Sequence, residues 1–178
     1  ESEDPSFEAL HGIRIPGLGR RISILADLQA LLFLRKYFKM NRPDIVNTHT
    51  AKAGVIGRLA VISMFSHRPK IVHTFHGHLL HGYFSAPITK AVVIVERLLA
   101  LNTDLLFAAG DKVKEDLISV GIGNQKKFRV LRPGVANFTL SSRIKVRSQL
   151  GINENIVVVG WLGRLTTIKR PDRVLEIA

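Results

Sequence analysis

The feature that most constrains this chain is an alternation. Short runs that read as buried strands are separated by stretches with a helical period: Asp44-Ile45-Val46-Asn47-Thr48, Lys70-Ile71-Val72-His73-Thr74-Phe75, Asp104 to Ala109 and Phe128-Arg129-Val130-Leu131. Between them lie helical segments from Ala51 to Phe65, from about Ile88 to Leu101 and from Asp111 to Val120, the last stopped by Gly121 and Gly123. A further helix precedes the first run, with apolar residues at Ile22, Leu25, Leu28, Leu31, Leu32, Leu34 and Phe38 and a basic end at Arg35, Lys36 and Lys39. Strands that alternate with helices of ten or more residues predict a parallel α/β sheet, with ligands beyond the carboxyl ends of its strands.

A polar, aperiodic stretch from Val135 to Ser142 is read as a linker. It divides a first domain, residues 1–135, from residues 136–178, which hold the linker and the start of a second domain. There a short helix, Arg143 to Leu150, leads to Ile156-Val157-Val158-Val159, expected to be the first strand of a second α/β unit with a loop and helix after it. No internal repeat and no low-complexity tract interrupts this order.

The formal net charge of +12 over 178 residues calls for an anionic partner: phosphorylated small molecules, nucleic acid or an acidic membrane surface. Nucleic acid is not expected, because basic and aromatic residues are not interleaved and neither zinc-ligand spacing nor a helix-turn-helix pattern is present. There is no P-loop for nucleotide hydrolysis and no Gly-Xaa-Ser-Xaa-Gly elbow for acyl transfer. The absence of cysteine removes disulfides and thiolate metal sites and fits a reducing compartment. The opening Glu1-Ser2-Glu3-Asp4 is acidic, so a secretory leader is not expected, and apolar runs such as Ala91 to Val95 are far short of the ~20 residues needed to span a bilayer. The expected location is cytoplasmic, with peripheral attachment to an acidic membrane through the Arg35 to Lys39 cluster as an option.

Three places hold candidate site residues. After the run at Ile156 come Gly163, Arg164 and Lys169. The glycine lets backbone approach a ligand, and the two cations suit a diphosphate, although surface charge explains them equally at this point. His76 and His78, in Thr74-Phe75-His76-Gly77-His78, stand where a strand passes into a glycine-containing loop. They are placed to hydrogen-bond a sugar hydroxyl or take a proton, or else are structural histidines bonded to carbonyls. Thr48 and Lys52, at the end of the first strand run and the start of the next helix, are acceptor-side candidates together with His78, while the small residues Ala51, Ala53 and Gly54 there also suit tight helix-on-sheet packing. His73, His76, His78 and His81 cluster, but no matching carboxylate accompanies them and no metal is expected.

With these residues in hand, the chain resembles the retaining group 1 (family 4) glycosyltransferases, whose two Rossmann-like domains make the GT-B fold. The resemblance runs through Arg42-Pro43-Asp44 to Gly54, His73 to His78 with Gly82-Tyr83-Phe84-Ser85, Glu96-Arg97-Leu98-Leu99-Ala100, Gly121-Ile122, Pro133-Gly134-Val135, Arg147 with Leu150-Gly151-Ile152, and Gly163-Arg164-Leu165 with Lys169. It implies sugar transfer from a nucleotide donor, commonly a UDP-sugar, to a saccharide or lipid-linked hydroxyl acceptor with retention and without a required metal or other cofactor. Arg164 and Lys169 would hold the donor diphosphate and His76 would face the reacting sugar as the catalytic residue. Asn47, Gly110, Ala136 and the turn at Arg132-Pro133 depart from the usual pattern. The resemblance also implies that the chain is a fragment, inactive alone, with the first strand and glycine-rich loop of one domain and the glutamate pair of the other outside it. A non-catalytic phosphate- or nucleic-acid-binding module and a sugar-nucleotide epimerase of the same architecture are the alternatives.

Overall fold

The computed structural model describes residues 12–19, 21–77, 85–134, 139–163, 165, 166 and 169–177. The chain forms two compact units, Glu1–Arg132 and Pro133–Ala178.

The first unit is a four-stranded, all-parallel sheet in the order β1 (Ile45–His49), β2 (Lys70–Phe75), β3 (Leu105–Ala108), β4 (Phe128–Val130). Helix α1 (Ile24–Asn41) precedes it, and α2 (Ala51–Ile62), α3 (Ala86–Leu101) and α4 (Asp111–Ser119) are the successive crossovers. Sequence neighbours are therefore sheet neighbours, and each parallel step takes a helix, because a tight turn cannot join parallel strands. The expected α/β class and all four expected strands of this unit are present. Helix α3 starts two residues ahead of the expected Ile88, with Pro87 in its first turn, where the missing N–H has no intrahelical partner to lose.

The core lies on one face. In β1 burial alternates, with Val46 and Thr48 inward and Ile45, Asn47 and His49 exposed. Ala30, Leu34 and Phe38 recur every four residues on α1 and meet Val46, Ile56, Ala60, Val61, Met64 and Ile71. Leu25, Leu28 and Leu32, although part of the same apolar period, face outward. A second cluster joins Phe75, Ala100, Leu106, Ala108, Leu117, Ile122 and Phe128 at the β3–β4 end. Here Gly121 (φ 79°) ends α4 in a left-handed turn, with the Ile122 N–H bonded to the Leu117 carbonyl at 2.9 Å, so that Ile122 folds back fully buried.

The second unit contains α5 (Arg143–Gln149) and α6 (Pro171–Ile177). Ser142 caps α5 by accepting from the Lys145 N–H at 3.2 Å. The Arg147 guanidinium donates to the carbonyls of Asn153, Glu154 and Ile156, which fixes the turn leaving the helix. One expectation fails: residues 156–159 form no strand, and Val157 is 86% and Val159 85% exposed. A strand exists only by pairing, and among the described residues none offers this segment a neighbour.

Candidate functional site

Parallel strands deliver their carboxyl ends to one edge, and here β1 and β2 deliver histidines. The register pairs His49 with Thr74, so His76, two residues further on, emerges beside His49 on the same side of the sheet. His49 Nδ1 and His76 Nε2 stand 2.8 Å apart, a hydrogen-bond distance, and both side chains are exposed. Partial burial and then the neighbouring His76 charge pull the His49 pKa below its ordinary value. His76 thus stands at the strand end where the sequence places it, and His49 is its unforeseen partner. The available signal was a histidine at the end of each of two consecutive strands.

Beneath this pair lies a buried polar layer. Thr48 is buried, and its hydroxyl meets His73 Nδ1 at 2.8 Å and the Val72 carbonyl at 3.3 Å. His73 is enclosed; burial first, then the charges of Arg58 and His49, draw its pKa down to about 3, so its ring is neutral. Its Cε1 lies where a Cβ on Gly54 would be, at 2.5 Å, so only glycine lets α2 come this close. Arg58, wholly buried on α2, donates through Nη2 to both Glu96 carboxylate oxygens at 2.7 and 2.8 Å and through Nε to the Gly54 carbonyl at 2.9 Å. Burial lowers the Arg58 pKa and raises that of Glu96, each opposed by the partner's charge. Sequence reading missed this pair, since its members are 38 positions apart.

Between β1 and α2 the chain turns at Thr50, whose φ of 62° and ψ of 166° lie in a region usually left to glycine. Such a conformation costs about 1–3 kcal/mol and persists because the surrounding contacts fix it. Lys52, in the first turn of α2, is 2.6 Å from Asp27 Oδ1 and donates to the Arg21 carbonyl. Its ammonium, through that contact, holds the Asp27 carboxyl below the usual range. The structure therefore brings His76 together with His49, seats Thr48 one layer below them, and ties Lys52 to α1.

Gly163 and Lys169 belong to the second unit and are exposed, Gly163 against the Trp161 indole. Arg164 and His78 lie outside the described residues. Among the described residues, no three His, Cys, Asp or Glu side chains are grouped to hold a metal ion, and no helix is long and apolar enough to cross a membrane.

The fold defines a Rossmann-like α/β protein, and in open parallel sheets of this kind the carboxyl ends of the strands, here those of β1 and β2, are where ligands are sought. The solved structure of Anabaena Alr3699/HepE in complex with UDP shares the fold, with a TM-score of 0.51 and 23% identity over 67% of this chain and 32% of that one. The profile of Glycosyltransferase Family 4 matches residues 1–136, and the chain belongs to that family. It is 30% identical over 175 residues to the UDP-Gal:alpha-D-GlcNAc-diphosphoundecaprenol alpha-1,3-galactosyltransferase of Escherichia coli, covering 96% of this chain and 45% of that protein. It is 26% identical to the capsular polysaccharide biosynthesis glycosyltransferase CapM of Staphylococcus aureus, over 88% of this chain and 42% of CapM. With the D-inositol 3-phosphate glycosyltransferase of Mycolicibacterium vanbaalenii it shares 29% over 76% of its length and 31% of the relative's. The chain thus spans less than half the length of these curated relatives.

Proposed function

We propose that this chain is part of a retaining glycosyltransferase that moves a sugar from a nucleotide donor, a UDP-sugar, to a hydroxyl of a saccharide or lipid-linked acceptor in cell-surface polysaccharide or glycolipid assembly. The observation that carries the reading is the similarity to the E. coli galactosyltransferase along 96% of this chain, from the His76 edge through Lys169. That relative's name specifies a UDP-linked donor and a diphosphoundecaprenol acceptor. A lipid-linked acceptor would place the reaction at the cytoplasmic face of a membrane, where the exposed Lys36 and Lys39 of α1 suit an acidic surface.

In this reading Arg164 and Lys169 pair with the donor diphosphate and neutralise the charge that grows as the nucleotide leaves, the task a metal performs elsewhere. Gly163 lets backbone approach the same phosphates. His76 meets the reacting sugar or the acceptor hydroxyl, as its exposed place at the end of β2 permits.

The test is a transfer assay on the protein as its gene encodes it, with UDP-sugars and a lipid-linked saccharide, in the presence of a chelator. Replacing both Arg164 and Lys169 by alanine is expected to reduce kcat/KM by about 10²–10³, the scale of losing a preorganised charge contact. Unchanged donor affinity and turnover in that variant, or transfer abolished by the chelator, would sink the assignment of the basic pair.

A further inference from the structure

The contact between His49 and His76 assigns a role to a residue that neither the sequence pattern nor the proposed function names. Two histidine nitrogens 2.8 Å apart either share a proton or bind a common ion. Bonds of 2.0–2.1 Å to a tetrahedral ion would set two imidazole nitrogens roughly 3.3 Å apart, and no third ligand stands near them among the described residues. The observed separation is that of an N–H···N hydrogen bond.

The direction of that bond follows from tautomer chemistry. With His76 Nε2 as donor and His49 Nδ1 as acceptor, both rings carry their proton on Nε2, the form a free neutral histidine prefers. The reverse direction would force both rings into the less favoured form. In the first arrangement His76 Nδ1 keeps a free lone pair, the state needed to accept a hydrogen bond or a proton from a hydroxyl.

His49 is itself held. The β1–β2 register fixes its backbone opposite Thr74, and the Thr48 hydroxyl ties the preceding residue to His73 and Val72. The ring of His76, by contrast, sits on an exposed strand end, with Gly77 after it. A side chain so placed samples several rotamers unless a neighbour restrains it.

We propose that His49 is a positioning residue for His76: it accepts the His76 Nε2 proton, fixes that ring and leaves His76 Nδ1 as the acceptor nitrogen facing a substrate hydroxyl. The part concerning substrate rests on the glycosyltransferase reading; the hydrogen bond and tautomer do not.

Two measurements separate these parts. Long-range 1H–15N correlation of the imidazoles in the labelled full chain at neutral pH, assigned by comparison with His76→Gln, is expected to show His76 protonated at Nε2 only. In His49→Phe the His76 ring is expected to relax to the tautomer mixture of a free histidine. In the transfer assay on the protein as encoded, His49→Phe is expected to lower kcat about tenfold with little change in donor KM, a fraction of a full acid–base contribution. His49→Asn, whose amide stands where Nδ1 stood, should recover most of it. A His76 tautomer indifferent to His49→Phe, or equal activity of the Phe and Asn variants, overturns the proposal. If the tautomer behaves as expected but the wild-type protein transfers no sugar, the functional reading falls and the positioning bond stands.

Discussion

Acid should unfold this chain through His73. Its ring is enclosed between β1, β2 and α2, with Gly54 against one edge and Thr48 on Nδ1, and a positive charge there would face Arg58 with no carboxylate of its own. An ordinary histidine titrates near 6.5, whereas this one is held down to about 3. Above pH 6.5 both folded and unfolded chains carry it neutral and nothing is lost. Below that the unfolded chain takes up a proton the folded chain refuses, so stability falls with falling pH throughout the window from 6.5 to about 3. At 1.36 kcal/mol per unit the loss is about 2 kcal/mol by pH 5 and about 5 kcal/mol once the window is crossed. In urea unfolding followed by circular dichroism, 2 kcal/mol moves the midpoint down by roughly 1 M between pH 7.5 and pH 5. The control is His73→Asn, which can keep the bond to Thr48 but cannot take the proton: it should be less stable at pH 7.5 and show a flatter pH dependence. A wild-type midpoint unchanged down to pH 5, or a pH dependence as steep in His73→Asn as in the wild type, would refute the reasoning.

Glu96→Gln leaves the Arg58 charge buried without its counter-ion and is expected to cost about 3–5 kcal/mol, read by urea denaturation, while Arg58→Met combined with Glu96→Leu should recover much of the loss because both desolvation costs vanish together. Gly54→Ala puts a methyl 2.5 Å from His73 Cε1. Overpacking of about 1–3 kcal/mol outweighs a helix-propensity gain of about 1 kcal/mol, so a thermal melt should show a net loss, and a stabilised variant would mean that α2 can shift off the sheet.

Much of the first unit was legible because its signals are local. The short apolar runs at Ile45, Lys70, Asp104 and Phe128 and the helical periods between them specify strands and helices, and alternation then specifies parallel pairing. Gly121 marked the end of α4 through its own backbone freedom. The run at Ile156 to Val159 carried an equally strong local signal and formed no strand, since a strand also requires a partner that local sequence does not supply.

The candidate site was legible only in part, for the same reason. His76 could be placed from its position after a strand, and Thr48 and Lys52 from theirs at a strand-to-helix junction. What each side chain does there was decided by residues far away in the chain: Thr48 is turned to His73, Lys52 to Asp27 and His76 to His49. The sequence by itself determined the class of sheet and the family. The tertiary structure alone decided which polar groups meet, because a hydrogen bond or buried ion pair depends on distances of a few ångströms set by register and helix packing, to which no local pattern is sensitive.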